Sequence, residues 1–319
     1  MKLLDPAATA AALSWGPLVA ALARTLADAR VGRVHAPERQ VLPISPGTSW
    51  FLMPAWLAPE AGDLAAIKLV TYSAANPARG LAAILGDVLV LRASTGERLA
   101  LLDGPTVTAR RTAGLSLLAA QCLAPNTQGP LLLIGTGVQA LAHAQAFASG
   151  LGLTDVWVRG RTPERSAQFA AVLRDQGLNA QPAPDLDAAL QACPLIVTAT
   201  PAQAVCLRGR VRDDAFVAAI GAFSPAMIEL DPACTRDIAA RGRVVLDSAA
   251  ARHEAGDLIA AGLDLDALPT LADLPATRST PSVGPVLFKS CGSALWDLAA
   301  ARCAVDPGAA PAPSSDAPD

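Results

Sequence analysis

The spacing of apolar residues changes along the chain, and each change predicts a different kind of element. Residues 6–29 have apolar positions at helical spacing, interrupted at Gly16 and Pro17, which predicts one amphipathic helix or two. From residue 41 to residue 103, short apolar runs alternate with turn residues, and the turn STGE predicts a hairpin between the last two runs. This region is predicted to form a small, mainly antiparallel sheet. Its predicted strands are SWFLMPAWL, AAIKLVTYS, LAAILG, DVLVLRAS and RLALLDG.

One long helix is predicted after that sheet, in the segment DGPTVTARRTAGLSLLAAQCLAP, with Pro105 near its first turn and Pro125 beyond its end. This helix is expected to bridge two domains. From Gly129 onward, apolar strands alternate with helical patterns, which is typical of a doubly wound parallel sheet. The later segment VLFKSCGSALWDLAAARC is predicted to be a helix that packs back on the first region. The predicted strands of the second sheet are LLLIG, DVWVRG, PLIVTAT, AFVAAIG and RVVLDS.

These elements predict an α/β fold, with a Rossmann-type doubly wound parallel sheet and a smaller α+β domain that holds the substrate. The first domain is predicted at residues 1–118 and the dinucleotide-binding domain at 119–275. A C-terminal segment at 276–305 is expected to return to the first domain. Residues 306–319 are rich in Pro, Ala, Ser and Asp, which predicts a disordered tail.

The composition argues against several classes of function. The chain has 319 residues, 52% of them hydrophobic, which is enough for two packed domains. Its net charge of −3 leaves no basic surface for nucleic acid, so no nucleic-acid partner is expected. No apolar run has the length of a membrane span and the first residues lack a signal-peptide pattern, so we expect no membrane and a cytoplasmic location. The six Cys and three His are scattered without ligand spacing, so no metal site is expected.

A glycine-rich turn lies between a predicted strand and a predicted helix, in the segment LLLIGTGVQALAHA. Gly135, Gly137 and Ala140 have the spacing G-x-G-x-x-A, and in this setting backbone N–H groups face a pyrophosphate. A structural turn in another α/β fold is the alternative interpretation. The predicted dinucleotide-binding segment is therefore Gly135, Thr136, Gly137, Val138, Gln139 and Ala140.

The end of the second strand of the predicted parallel sheet indicates which nucleotide binds. Enzymes that use NAD place an Asp or Glu there, whereas this chain has WVRGRTPERS, with no acid before Glu164. Arg159, Arg161 and Thr162 are instead suited to a 2′-phosphate, which predicts NADPH as the cofactor and NADH as a weaker one. The alternative is that these Arg are solvated turn residues.

Basic residues mark the predicted substrate side. Lys and Arg together number 25 but only three are Lys, and one of these, Lys68, lies in the middle of a predicted strand. Such a Lys could bind a charge or deliver a proton, with a solvent-facing strand position as the alternative. Arg111 lies on the bridging helix, and Arg39 lies just before the sheet. Together these three cations would bind a carboxylate and orient the neighbouring carbon for hydride transfer.

Eight segments, in order over nearly the whole chain except the tail, resemble the ornithine cyclodeaminase/mu-crystallin family. The resemblance implies a homodimer, a Rossmann nucleotide-binding domain, and a second domain that supplies both the substrate pocket and the dimer interface. The segments are PERQVLP, IKLVTYSAANPARGL, GERLALLDGPTVTARRTA, IGTGVQA, RGRT, IGAFSPAMIELD, HEAGD and FKSCGSALWDLAAA.

The resemblance also implies roles for individual residues. The carboxylate-binding Arg, Lys and Arg of the family fall on Arg39, Lys68 and Arg111, and its nucleotide segment falls on the glycine-rich turn. The RGRT stretch resembles the NADP-binding form found in mu-crystallin. Thr200 falls on a strand end that lines the nucleotide site in the family, and Ser290 is expected near the nicotinamide.

One departure from the family favours reduction over deamination. Cyclodeaminases carry an Asp in the stretch aligned with IGAFSPAMIEL, where it acts in deamination and ring closure, and this chain has Phe223 there. A phenyl ring cannot accept a proton from the substrate amine. Asp247 and Glu254 match other family positions, so they are expected to be structural or to line the pocket.

The resemblance therefore implies an NADPH-dependent reductase of cyclic ketimines, with Lys68 as the catalytic residue that helps to deliver the proton. The expected substrates are the small cyclic imino acids Δ1-pyrroline-2-carboxylate, which gives L-proline, and Δ1-piperideine-2-carboxylate, which gives L-pipecolate. Three alternatives remain open. These are an ornithine cyclodeaminase that recycles NAD, a mu-crystallin-like protein that binds NADPH and a carboxylate with little turnover, and an amino-acid dehydrogenase such as alanine dehydrogenase.

Overall fold

The computed structural model describes residues 1–73, 75–274 and 283–305. The helices are α1 (Pro6–Ala12), α2 (Trp15–Arg30), α3 (Gly104–Leu123), α4 (Val138–Leu151), α5 (Pro163–Asp175), α6 (Leu186–Ala192), α7 (Pro232–Arg241), α8 (Ala251–Glu254), α9 (Gly256–Ala260) and α10 (Ala294–Val305). Short 3₁₀ turns cover Pro59–Ala61, Asn76–Arg79 and Leu271–Asp273. The strands are β1 (Lys2–Leu4), β2 (Val34–His35), β3 (Gln40–Ser45), β4 (Thr48–Leu57), β5 (Ala65–Ser73), β6 (Ile84–Leu91), β7 (Arg98–Asp103), β8 (Leu131–Ile134), β9 (Asp155–Arg159), β10 (Asn179–Pro182), β11 (Leu195–Thr198), β12 (Gln203–Leu207), β13 (Phe216–Ala219), β14 (Ile228–Leu230), β15 (Arg243–Leu246) and β16 (Val286–Lys289).

The first sheet is mainly antiparallel, as the sequence predicts. Its order is β1-β7-β6-β5-β4-β2, with β3 also paired to β4, and β1 joins β7 in parallel. Sequential antiparallel strands need only short connections, which explains why β3 to β7 pair in chain order. The segments LAAILG and DVLVLRAS do not form two strands as predicted. They contribute the single strand β6, because Gly86 stays in the ladder, paired with Val70.

The two faces of the first sheet have different surroundings. The inner face packs against α3 and α10, and Met53, Lys68 and Val88 form one buried cross-strand row on it. Lys68 therefore does not lie on a solvent-facing strand surface. Successive strand residues point to opposite faces, so the other face carries large apolar side chains that are exposed. We call this surface the open face, and it includes Leu42, Trp50, Trp56, Leu69 and Leu85.

The second sheet is parallel and has the Rossmann-type order β10-β9-β8-β11-β13-β16-β15, which confirms the predicted fold class. From β8 the chain proceeds outward through β9 and β10, and then returns to β11 on the other side of β8. Ligands of such sheets bind in the crevice at the carboxyl ends of the strands, where the strand order reverses. That point lies between β8 and β11. The strands β12 and β14 form a separate pair beside this sheet.

The prediction of one helix over VLFKSCGSALWDLAAARC is wrong in its first part. Val286–Lys289 is strand β16, which pairs with β13 and β15, and the helix begins at Ala294. All four residues of β16 are buried, and a short apolar run of this kind has no periodicity that separates a strand from a helix. The helix α10 does return to the first sheet, where it contacts α2, α3 and β5.

One helix boundary also differs from the prediction. The N-terminal break lies at Leu13 and Ser14, not at Gly16 and Pro17. Pro17 fits inside the first turn of α2, where the backbone N–H of a residue has no intrahelical partner to lose. The long helix α3 is confirmed and continues through residue 118, so the first predicted boundary falls inside a helix that contacts α2, α4 and α10. The boundary at 275 and the tail at 306–319 lie outside the described residues.

In the described part of the chain, no single helix is long and apolar enough to cross a membrane. Among the described helices, α1 and α2 reach that length and apolarity when taken together, but a bend of 67° separates them.

Candidate active site

The glycine-rich turn lies at the carboxyl end of β8, at the point where the strand order reverses. Gly135 has a φ of +128°, and a Cβ atom on it would lie 2.3 Å from the backbone oxygen of Ala199 at the end of β11. Only glycine fits this position. Gly137 is the N-cap of α4, with no side-chain hydrogen bond to the helix and nothing within 4 Å of where its Cβ would be. The first N–H groups of α4 are thus open to an anion, which fits a pyrophosphate.

The other residues of this turn support that arrangement. Ala140 is fully buried, which lets α4 approach the sheet closely, while Val138 is 71% exposed at the start of the helix. The side-chain amide of Gln139 donates to the backbone oxygen of Thr108 over 3.5 Å, so it joins α4 to α3. Thr136 lies between the two glycines, half-buried.

The end of β9 carries the RGRT stretch and no acidic residue. One terminal nitrogen of Arg159 donates to the backbone oxygens of Ala183 and Pro184, at 3.2 and 2.8 Å. Arg161 is exposed and makes no hydrogen bond or ion pair with the described residues. Thr162 is the N-cap of α5, and its hydroxyl accepts a hydrogen bond from the backbone N–H of Arg165. Arg161 is therefore the cation of this stretch that remains available to a phosphate.

A buried carboxylate that the sequence analysis did not single out organises the neighbouring strand ends. Glu229, on β14, is fully buried and accepts from the hydroxyl of Thr198, from the backbone N–H and hydroxyl of Thr200, and from the backbone N–H of Gly221. The distances are 2.7–2.9 Å. Thr200, which is predicted to line the nucleotide site, thus lies at the end of β11, and both its backbone N–H and its hydroxyl donate to Glu229.

A buried ion pair lies at the end of β16. The ammonium of Lys289 lies 2.6 Å from a carboxylate oxygen of Asp257, and both side chains are fully buried. The other oxygen of Asp257 accepts the backbone N–H of Glu229 at 2.6 Å. Ser290, next in the chain, donates to Asp247 at 2.8 Å. Asp247 therefore has a structural role, which agrees with the expectation from the sequence.

Two of the predicted substrate residues meet at one carboxylate. The Lys68 ammonium lies 3.0 and 2.8 Å from the two carboxylate oxygens of Asp297, and Nε of Arg111 lies 3.3 Å from one of them. All three side chains are at least nine-tenths buried. The two terminal nitrogens of Arg111 make no hydrogen bond with the described residues. A buried guanidinium with unused donors fits an anionic ligand.

The charges around Lys68 set its pKa. Burial lowers the pKa of Lys68, Asp297 opposes this, and the positive charges of Arg111 and Arg39 lower it further, to about 8. Lys68 is therefore still mostly protonated at neutral pH, but it can lose its proton under mildly alkaline conditions. This behaviour suits a group that both binds a carboxylate and delivers a proton.

Arg39 reaches the same region from the opposite side. Its guanidinium forms an ion pair with both carboxylate oxygens of Glu254 and donates to the backbone oxygens of Phe223 and Cys291, at 3.3 and 3.4 Å. The rings of Phe51 and Phe223 each lie 6.0 Å from its central carbon. Because Glu254 holds the guanidinium, a substrate carboxylate at Arg39 would have to share it. Glu254 is thus held by Arg39, and a role in lining the substrate pocket stays a prediction.

A glycine after β16 makes room for Arg111. Gly292 has a φ of +84°, and a Cβ atom there would lie 2.9 and 3.0 Å from the terminal nitrogens of Arg111. The backbone N–H of Gly292 donates to Asp247 at 2.8 Å, so the loop is fixed at the end of β15. The cation cluster, which consists of Lys68, Arg111 and Arg39, therefore lies at the carboxyl ends of the parallel strands, where ligands of such sheets bind.

Comparison with known proteins decides the family. The model of the ornithine cyclodeaminase/mu-crystallin family matches residues 8–308. The chain belongs to this family. Among its relatives, Delta(1)-pyrroline-2-carboxylate reductase 1 of Burkholderia multivorans is 42% identical over 303 residues, which cover 95% of this chain and 94% of that protein. The Delta(1)-pyrroline-2-carboxylate/Delta(1)-piperideine-2-carboxylate reductase of Azospirillum brasilense is 42% identical over 306 residues, 96% of each chain.

A solved structure shares the fold. The Delta(1)-pyrroline-2-carboxylate reductase of Thermococcus litoralis, in complex with NADH and L-proline, superimposes with a TM-score of 0.85 and 24% identity, covering 96% of this chain and 97% of that chain. The shared fold therefore extends over both sheets of the present chain.

Proposed function

We propose that this chain is an NADPH-dependent reductase of cyclic ketimines. It reduces Δ1-pyrroline-2-carboxylate to L-proline and Δ1-piperideine-2-carboxylate to L-pipecolate. The observation that carries the proposal is the buried pair of cations, Lys68 and Arg111, beside the strand ends of a Rossmann-type sheet. The names of the two relatives at 42% identity support the same reaction.

The residues of the chain act on the substrate in two ways. The terminal nitrogens of Arg111 bind the carboxylate, and Lys68 adds a positive charge from the neighbouring strand. Lys68 also holds or delivers the proton on the imine nitrogen, which makes the adjacent carbon electron-poor. A nicotinamide nucleotide whose pyrophosphate is bound at the glycine-rich turn would supply the hydride to that carbon. The rings of Phe51 and Phe223 lie beside the Arg39 guanidinium and would give the site an apolar wall.

The position of Phe223 argues against the lyase alternative. It has no acidic group, its ring lies beside Arg39, and its backbone oxygen accepts from that guanidinium. Glu254 and Asp247 are both committed to other partners, to Arg39 and to Ser290 with Gly292. None of these residues is available as the base that deamination of ornithine requires.

The proposal is tested by following NADPH oxidation with each of the two cyclic imines, with ammonia release from L-ornithine and NAD measured in parallel. We expect rapid oxidation of NADPH with the imines and ammonia at background. Sustained ammonia release with conversion of ornithine to proline would instead support a lyase. NADPH binding without turnover of either imine would support a ligand-binding protein of the mu-crystallin kind.

For the cofactor we propose a 2′-phosphate contact with Arg161. Replacing this residue with alanine is expected to weaken NADPH binding by roughly tenfold and NADH binding by much less, because only NADPH carries the phosphate. Arg165→Ala is the matched control, because it removes another exposed Arg, from the first turn of α5, only four residues away. Fluorescence titration of both nucleotides measures the effect, and equal losses of NADPH and NADH affinity would eliminate this role for Arg161.

We further propose a homodimer in which two copies of the open face pack together. An exposed apolar surface across several strands of a sheet is a common mark of a protein interface. A two-fold axis would bring the same surface from each subunit together, and identical apolar side chains would then cover one another.

A further inference from the structure

Asp297 occupies an unusual place for a carboxylate. It is the fourth residue of α10, on a helix whose neighbouring side chains are mostly apolar and buried, and its own side chain is 1% exposed. Taking a carboxylate out of water is costly unless cations and hydrogen bonds compensate for the lost hydration. Lys68 and Arg111 are the cations that compensate here: Lys68, on β5, contacts both carboxylate oxygens, and Arg111, on α3, lies near one of the same two oxygens.

Stability alone does not account for this arrangement. Replacing buried charged groups with apolar side chains of similar volume is often neutral or stabilising, so a folding role would not require three charges at this place. Moreover, the arrangement is incompletely satisfied. Nε of Arg111 and one oxygen of Asp297 are buried without a well-directed hydrogen bond to the described residues. A cluster that served only packing would leave fewer buried polar atoms without a hydrogen bond.

The balance of charges matches one anionic ligand. Three cations approach the site, Lys68 from β5, Arg111 from α3 and Arg39 from the segment before β3. Two carboxylates face them, Asp297 from α10 and Glu254 from α8. One positive charge therefore remains, and the unused donors are the terminal nitrogens of Arg111. Without Asp297, two cations would face each other in a buried site with only the substrate between them.

We propose that Asp297 is a positioning residue, which holds the ammonium of Lys68 and the guanidinium of Arg111 in one orientation and keeps both charged for the substrate carboxylate. The inference rests on the proposed reductase function. Asp297 attracts the guanidinium of Arg111 from its Nε side, at 3.3 Å, and so leaves the terminal nitrogens for the ligand. It also provides the negative charge that offsets the desolvation of Lys68.

The direction of the electrostatic effect follows from the groups around Lys68. Asp297 is the carboxylate that raises the pKa of Lys68, whereas burial, Arg111 and Arg39 all lower it. Removing the carboxylate therefore lowers the pKa, so that Lys68 loses its proton at a lower pH. A substrate-binding step that needs the ammonium would then also fail at a lower pH. The alkaline limb of the pH profile of kcat/KM would shift to lower pH.

The chain permits a direct measurement because it has only three lysines, Lys2, Lys68 and Lys289. Full-length protein with ¹³C at the lysine ε-carbons gives one NMR signal for each, and Lys68→Met assigns the signal of interest. In the wild type we expect Lys68 to titrate with a pKa of about 8. In Asp297→Asn we expect a pKa lower by about one unit or more, since the nearest opposite charge is lost. An unchanged Lys68 titration in a folded Asp297→Asn protein would overturn the proposal.

Asp28→Asn is the matched control. Asp28 pairs with Arg302, which also lies on α10, at 2.6 Å, but this pair is outside the cluster. The control variant should leave the Lys68 signal and the reaction unchanged. If Asp28→Asn lowered the Lys68 pKa as much as Asp297→Asn does, then a general loosening of α10 would explain both results and the specific role of Asp297 would be wrong.

Asp297→Glu separates charge from position, and it also serves if the Asn variant does not fold. It keeps the carboxylate but moves it by one methylene, so we expect the Lys68 titration to stay close to that of the wild type while KM for the imine rises severalfold and NADPH affinity is retained. Unchanged KM would contradict the positioning role. The NMR titration needs no substrate, so a wild-type protein that failed to reduce cyclic imines would refute the proposed function and leave the test of Asp297 intact.

Discussion

Arg111→Ala is expected to reduce kcat/KM for Δ1-pyrroline-2-carboxylate by the equivalent of about 2–5 kcal/mol of transition-state stabilisation. The loss is large because Arg111 is 6% exposed, so a substrate carboxylate in this place would be left without its partner in a desolvated site. The affinity for NADPH should change much less, since the glycine-rich turn lies on a different element. Steady-state kinetics with the imine and nucleotide titration measure the two effects separately.

The neighbouring residue provides the control for this variant. Arg110 lies on the same helix, but its guanidinium lies 4.4 Å from the centre of the Trp15 ring, outside the cluster. Arg110→Ala should therefore keep kcat/KM near that of the wild type. Arg111→Lys should recover only part of the activity, because an ammonium lacks the planar fork of a guanidinium. Thermal melting confirms folding, and near-normal kinetics of a folded Arg111→Ala protein would show that other residues bind the carboxylate.

Leu69→Asp is expected to convert the proposed homodimer into a monomer. Leu69 is 40% exposed on the open face and pairs with Leu52 across β4 and β5. In a two-fold interface the substitution would bury two new carboxylates, one from each subunit, and neither charge would be compensated by a partner. Sedimentation equilibrium of both proteins measures the change in mass. The wild type should have twice the chain mass and the variant the mass of one chain.

Val172→Asp is the control for that experiment. Val172 lies on α5 with 43% exposure, close to that of Leu69, but it is outside the open face. This variant should remain dimeric. A wild type that is monomeric at all concentrations would contradict the dimer, and a dimeric Leu69→Asp protein would show that the subunits meet through another surface.

The nucleotide-binding half of the fold could be predicted from the sequence because its signals are local. The strand, the turn at Gly135 and Gly137, and the start of α4 are consecutive in the chain, so spacing alone identifies them. The absence of an acid at the end of β9 can be seen in the same way. The alternation of strands and helices also predicted the parallel sheet, since each unit is contiguous.

The cation cluster could be predicted only in part. Lys68 and Arg111 can be recognised in the sequence because each is unusual in its own segment. Their shared carboxylate lies some two hundred residues further along, and no local pattern shows that contact. The one available signal for Asp297 is an acid inside an apolar helix, in the stretch WDLAAA. Gly292 and Glu229 had no distinguishing pattern, since their roles depend on long-range neighbours.

The most direct test of the reductase function follows the transferred atom. NADPH carrying deuterium at both hydrogen positions of nicotinamide C4 is incubated with the purified protein and Δ1-pyrroline-2-carboxylate, and the product is analysed by mass spectrometry and NMR. We predict L-proline with one deuterium at C2, formed in step with the NADP produced. Proline without deuterium, or oxidation of NADPH with no proline formed, would contradict direct hydride transfer to the imine and with it the proposed function.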